Sequence, residues 1–140
     1  MIKIQGSIPE KVLAKYVNKA HGTKPTGLTD VPINTPNFKS NRTPKGTHLA
    51  KRLEANNGFM WELYGAPLVA RLPNGSMQIY DGGNRVATLQ RIFPDVESFP
   101  ALIVDVENES QIARLFHRIN GTASQPVSPN VRFISQVLGE

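Results

Sequence analysis

An α+β domain, with a small mixed sheet flanked by four or five helices, is the fold class that this 140-residue sequence predicts. Three observations carry that expectation. Two short apolar runs, Pro67 to Leu72 and Met77 to Tyr80, are separated by Pro73-Asn74-Gly75-Ser76, and Asn-Gly between such runs is a strong hairpin signal. A third run, Phe99 to Val106, is nearly continuously apolar, as a strand covered on both faces would be. Around these runs, apolar residues recur at helical spacing.

At the N-terminus, Ile2 to Gln5 alternates as a short strand would and is a candidate fourth member of the sheet. Ser7-Ile8-Pro9-Glu10 is a capping-box signature that opens a helix running to about Ala20, with Gly22 as its stop. Val12, Leu13, Tyr16, Val17 and Ala20 form its inward stripe. Lys11, Lys15 and Lys19 then share an outward face. From Thr23 to Pro44, five residues (Pro25, Gly27, Pro32, Pro36 and Pro44) interrupt any period, which predicts a long ordered loop or a mobile arm. Lys39, Arg42, Lys45 and Phe38 give this stretch the ingredients of a nucleic-acid-binding arm. The same composition suits a segment that packs across the sheet or docks on a second subunit.

Thr47 is placed to cap a second helix, from His48 to about Asn57, closed by Gly58. The cluster Phe59, Met60, Trp61, Leu63 and Tyr64 reads as core against the sheet. After the hairpin, Val86, Leu89 and Phe93 mark one face of a third helix. Asn108, with Gln111 three residues on, starts a helix from Glu109 to Asn120, which Gly121 stops. Ser128-Pro129 is an N-cap and N1 pair for a last helix, whose apolar Val131, Ile134, Val137 and Leu138 suit either this domain or a dimer surface.

Composition bounds the function. No cysteine is present, so disulfides and thiolate metal sites are excluded, in keeping with a reducing cytoplasm. No apolar run approaches membrane-spanning length, and no signal-peptide core is apparent. The net charge of +5 is uneven. The first 60 residues hold ten basic and three acidic side chains, the remainder six and eight, and every lysine precedes residue 52. A basic face for polyanions fits this distribution, as does a solvated lysine-rich surface. The histidines at 21, 48 and 117 show no metal-ligand spacing. Asp105 and Glu107 alternate on one strand face, either as a carboxylate pair of the kind that holds a divalent cation or as a polar strand end.

Chemistry is expected at Asp81-Gly82-Gly83-Asn84-Arg85, where the second hairpin strand runs into a helix. A helix N-terminus offers unpaired N–H groups and partial positive charge, glycines admit close approach of a phosphate, and arginine adds a permanently charged fork. The same residues also suit a plain helix cap, with Asp81 or Gly82 at the N-cap.

Strand, turn, strand, Asp-Gly-x-x-Arg, helix and apolar strand together resemble the core of the ParB/sulfiredoxin superfamily over about residues 66 to 135. Asp81-Gly82-Gly83-Asn84-Arg85 is similar to the Asp-Gly-Gln-His-Arg signature of a branch with many phage-borne members. Phe116-His117-Arg118-Ile119-Asn120, followed by Pro126-Val127-Ser128-Pro129-Asn130, is similar to the segment after the sheet in that branch. The resemblance implies a DNA-associated module that binds nucleotide or nucleic-acid phosphate at the turn. Arg85 would sit on the phosphate, with Gly82, Gly83, Asn84, Arg118 and Asn120 around it; Arg118 and Asn120 are preferred to His117. Asp81 would order the turn, or act catalytically by holding magnesium through water. The basic residues Lys11, Lys15, Lys19, Lys39, Arg42 and Lys45 would add nonspecific DNA affinity. The resemblance leaves two other readings open. One is an NTP-hydrolysing, phosphoryl-transfer or metal-dependent nuclease enzyme using a nucleoside triphosphate with Mg2+. The other is a phage module that docks on a host protein or forms a homodimer. The sulfiredoxin reaction needs a cysteine at the turn and is excluded. The partitioning clamp has an acidic or arginine-rich version of the turn, where this sequence has Gly83-Asn84, so clamp function is not expected.

Overall fold

The sheet is assembled around a strand that contains a proline. The structure, a computed structural model, describes residues 1–120. In chain order the elements are α1 (Glu10–Tyr16), β1 (Ala20–His21), β2 (Thr29–Pro32), α2 (Gly46–Ala55), β3 (Phe59–Met60), α3 (Trp61–Tyr64), β4 (Leu68–Arg71), β5 (Met77–Asp81), α4 (Gly83–Ile92), β6 (Ser98–Asp105) and α5 (Glu109–Asn120). Four strands form a mixed sheet in the order β2-β6-β4-β5, and β1 and β3 form a separate parallel pair. The α+β class with flanking helices is therefore what the chain adopts.

β6 pairs with β2 antiparallel through residues 98 to 101 and with β4 in parallel through residues 102 to 105. Pro100 has no N–H to offer a ladder, and prolines are rare in central strands. Here it lies just before the β4 ladder begins, where the Leu102 N–H donates to the Pro67 carbonyl. Its own carbonyl accepts the Tyr64 hydroxyl at 2.6 Å. The proline thus costs no ladder bond, and the buried tyrosine gains a partner.

The hairpin β4-β5 forms as expected around Asn74-Gly75. Gly75 takes φ 89°, and the Asn74 side chain accepts from the Ser76 N–H at 2.9 Å. Alternation along β4 and β5 feeds two cores. Val69 and Ile79 face a large cluster with Val86, Leu89 and Ile92 of α4, Leu49 and Leu53 of α2, and Val12 and Tyr16 of α1. Leu68, Ala70 and Tyr80 face a smaller one with Ile112 of α5 and Phe38. The first sixty residues and the sheet therefore share one core, with Phe59 and Tyr64 inside it as expected of the aromatic cluster; Leu63 instead stands exposed. β6 is buried over Phe99 to Ala101, but Leu102 and Val104 are exposed, so its apolar run is only half covered.

Several sequence expectations are corrected. Ile2 to Gln5 is not a sheet strand: Gln5 makes one isolated bridge with Lys45, and the Ile2 N–H donates to the buried Gln90 Oε1 at 2.8 Å. α1 ends at Tyr16, because Asn18 turns into the left-handed region at φ 57° and sends the chain into β1. No side chain caps α1 or α2, so neither Ser7 nor Thr47 has the capping role its position suggested; α2 begins at Gly46. The Thr23 to Pro44 segment holds a strand, β2, whose Pro32 is tolerated because β2 is an edge. α5 begins at Glu109 as expected: the Asn108 side chain accepts the Gln111 N–H at 3.0 Å, and Gln111 Oε1 accepts the Glu107 N–H at 2.7 Å; its expected stop, Gly121, lies outside the described residues. The Ser128-Pro129 helix and the Pro126 to Asn130 signature lie outside the described residues.

Candidate functional site: a cationic cleft at the glycine turn

β5 delivers Asp81 to the start of α4, and the chain turns between them on Gly82, at φ 89° and ψ 16°. A side chain is strained there, and one at Gly82 would also meet Arg85 Nη2 at 2.6 Å and Pro67 at 3.1 Å. Gly82 is the N-cap residue, and its carbonyl accepts both the Arg85 and Val86 N–H groups at 3.1 Å. No side chain caps α4, so the plain-cap reading of Asp81 does not hold. Asp81 Oδ2 instead faces Arg85 Nη2 at 3.5 Å, both side chains being 29% exposed. Arg85 Nη1 donates to the Tyr64 carbonyl at 2.9 Å. Gly65, at φ 62°, closes the other side of the guanidinium, within 2.9 Å of where its Cβ would stand. Arg85 is thus held in a slot between two glycine backbones.

The turn forms one wall of a cleft of about 1050 Å³. Asp81, Gly82, Gly83, Asn84 and Arg85 all line it, as do Asn120 of α5 and Arg42 of the proline-rich segment. Asn120 Nδ2 donates to the Phe116 carbonyl at 3.1 Å. Residues that sequence reasoning did not favour also line it: Arg52 of α2, Asn56 just past the end of α2, Asn37 and Asn41 before it, and His117. Asn37 lies against the helix start, and a Cβ on Gly83 would stand 2.5 Å from its Oδ1. Asn41 holds it there, donating to Asn37 Oδ1 at 3.2 Å and to the Ile79 carbonyl at 2.8 Å. Asp81 is the one carboxylate among the described residues that line the cleft, against the arginines at 42, 52 and 85. The balance favours an anion.

Other expected members fall elsewhere. Arg118 is exposed on α5 and does not line the cleft, whereas its neighbour His117, ranked below it from sequence, does. Lys39 and Lys45 are exposed outside the cleft, and Phe38 is buried against Phe116 at 5.3 Å, unable to stack on a base. Lys11 and Lys15 flank Glu54 in a separate hollow, and Lys15 Nζ lies 3.5 Å from Glu54. Contacts with Tyr16 and then Glu54 raise the Lys15 ammonium above its ordinary pKa. Lys19 lies beyond the end of α1 and donates to the Lys15 carbonyl, so the lysine row is broken. Asp105 is bound in two places by Arg71, at 2.7 and 3.2 Å, which holds its carboxyl below the usual range; Glu107 lies beyond the end of β6, so the two do not share a strand face. Among the described residues no group of three or more His, Asp or Glu is arranged to hold a metal ion. No helix among them is long and apolar enough to cross a membrane.

Fold and site together define an α+β domain with a cationic cleft at a strand-glycine-helix turn. Comparisons with protein-family models, curated proteins and solved structures find no match for the chain.

Proposed function

We propose that this chain is a DNA-associated, ParB-like module that binds nucleotide or nucleic-acid phosphate at the Asp81 to Arg85 turn. The observation that carries the reading is the convergence on one cleft of an uncapped helix N-terminus, two glycines and arginines from three elements. Each supplies N–H donors to an oxyanion, and arginine pairs with phosphate through two parallel bonds. Arg85 arrives already oriented by the Tyr64 carbonyl, so little side-chain freedom is lost on binding. Asp81 orders this arrangement by facing Arg85. As the one described carboxylate lining the cleft, Asp81 suits a Mg2+ held mainly by phosphate oxygens and water, with the carboxylate as its protein ligand. The exposed lysines of the first half would add sequence-independent attraction to DNA.

Thermal unfolding with ATP, CTP, GTP and short DNA, with and without Mg2+, tests the reading. A ligand at a hundredfold its dissociation constant stabilises by about 2.7 kcal/mol. The expected result is a raised midpoint that Arg85→Ala abolishes while the variant stays folded by circular dichroism. No shift with any phosphate ligand would end the proposal.

A further inference from the structure

We propose that the cleft takes a single strand of nucleic acid, holding its backbone at several points and its bases between them, rather than a free mononucleotide or a duplex. The inference rests on the phosphate reading above and narrows it. Size is the first argument. At about 1050 Å³ the cleft stands at the upper end of the roughly 300–1000 Å³ that small-molecule sites span, so one mononucleotide at the turn would leave much of it to water.

The second argument is where the cations stand. Arg85 is on α4, Arg52 on α2 and Arg42 on the segment that precedes α2, so the positive charge comes from three elements. Three arginines lining a cleft of this size suit a strand, which presents a phosphate at every nucleotide. The chain that carries Arg42 is tied to the turn, because its neighbour Asn41 donates to the Ile79 carbonyl of β5, the strand that leads to Asp81. The third argument is what else lines the cleft. Leu63, 52% exposed, and Met60 give apolar surface for base faces, and Asn56 and Asn120 give amides of the kind that read base edges. In a duplex those edges and faces are paired and stacked, and only an unpaired strand can lay them in a concave cleft.

Fluorescence anisotropy on the full chain tests this, with labelled single strands of about 4, 8 and 12 nucleotides in deoxy and ribo forms, matched duplexes, and mononucleotides as competitors. Affinity should rise with strand length and exceed that for duplex and mononucleotide. With three arginines on phosphates, log K should fall with log salt at a slope of about −2, and Arg42→Gln or Arg52→Gln should each reduce that slope by about 0.7. Both arginines are exposed, so the folded state should tolerate these changes. Stronger binding of the deoxy or the ribo strand names the natural source. Equal binding of duplex, mononucleotide binding as tight as that of any strand, or an unchanged slope in both variants would overturn the inference. If mononucleotides stabilise the protein while strands do not bind, the phosphate reading survives and this one falls. If nothing carrying phosphate binds, both fall.

Discussion

Gly83→Ala isolates the contact that ties the proline-rich segment to the start of α4. Gly83 opens the helix without a positive φ, so the backbone accepts alanine, and such a replacement by itself stabilises by about 0.4–1 kcal/mol. The new Cβ, however, would stand 2.5 Å from Asn37 Oδ1 and 2.7 Å from Nδ2. The Asn37 amide must swing away, giving up its bond from Asn41 Nδ2 at 3.2 Å, which is worth about 0.5–1.5 kcal/mol. The two effects oppose each other, so the single variant should lie between slight gain and a loss of about 1 kcal/mol. In an Asn37→Ala background the obstruction is gone and the full gain should return. Urea unfolding of the four proteins should therefore give a coupling energy of about 0.5–1.5 kcal/mol. Additivity within about 0.3 kcal/mol would refute the reasoning, because it would mean that Asn37 does not rest against the helix start. Phosphate-ligand affinity should follow the same pattern, lowered by Gly83→Ala through displacement of the amide.

Two further predictions concern stability. Gln90 is 1% exposed, accepting the Ile2 N–H and donating to the Ile33 carbonyl at 2.8 Å each. Gln90→Leu should leave both backbone groups without partners and cost about 2–4 kcal/mol, read as a lower urea midpoint; a loss under about 1 kcal/mol would show that water replaces the amide. Asp105, paired with Arg71, has its folded pKa depressed, so its stabilising contribution is present above the ordinary carboxylate pKa of about 3.9 and is lost as pH falls through the lower folded value. Asp105→Asn should thus be less stable than wild type near neutral pH and equal to it in strong acid, and a difference independent of pH would argue against the ion pair.

What the sequence disclosed was what depends on neighbours along the chain. The hairpin announced itself through Asn74-Gly75, α4 through its glycines and apolar spacing, and the start of α5 through the Asn108 and Gln111 side chains, which accept the Gln111 and Glu107 N–H groups. Elements that exist only by long-range pairing were hidden. β2 has four residues amid prolines and is a strand because β6 lies beside it; β1 and β3 have two residues each and pair across nearly forty positions. The site divides the same way. Asp81 to Arg85 were visible as a local motif, whereas Arg52, Asn37 and Asn41 carry no local mark and join the cleft through packing of α2 and an amide bond to β5. The helical phase of α5 alone did not rank His117 above Arg118 for the cleft, because that choice depends on which neighbour the cleft wall meets.

The cleft's central cation is tied to the sheet through a chain of contacts that no segment contains alone. Arg85 donates to the Tyr64 carbonyl, and Tyr64 in turn donates its hydroxyl to the carbonyl of Pro100 in β6. Burial raises the Tyr64 phenol above its ordinary pKa, so it keeps its proton and remains a donor at neutral pH. Gly65 and Gly82, both at positive φ, bring backbone against the guanidinium from two sides where any side chain would intrude. On the proposed phosphate reading, an arginine so confined would have fewer conformations to lose on binding an anion, and its five N–H donors would let it serve Tyr64 and a ligand at once. A lysine at 85 would have a charge of the same sign without that geometry. The unusual features of the chain, a proline in a central strand and left-handed glycines on both sides of one side chain, thus find a common explanation in the placement of a single guanidinium.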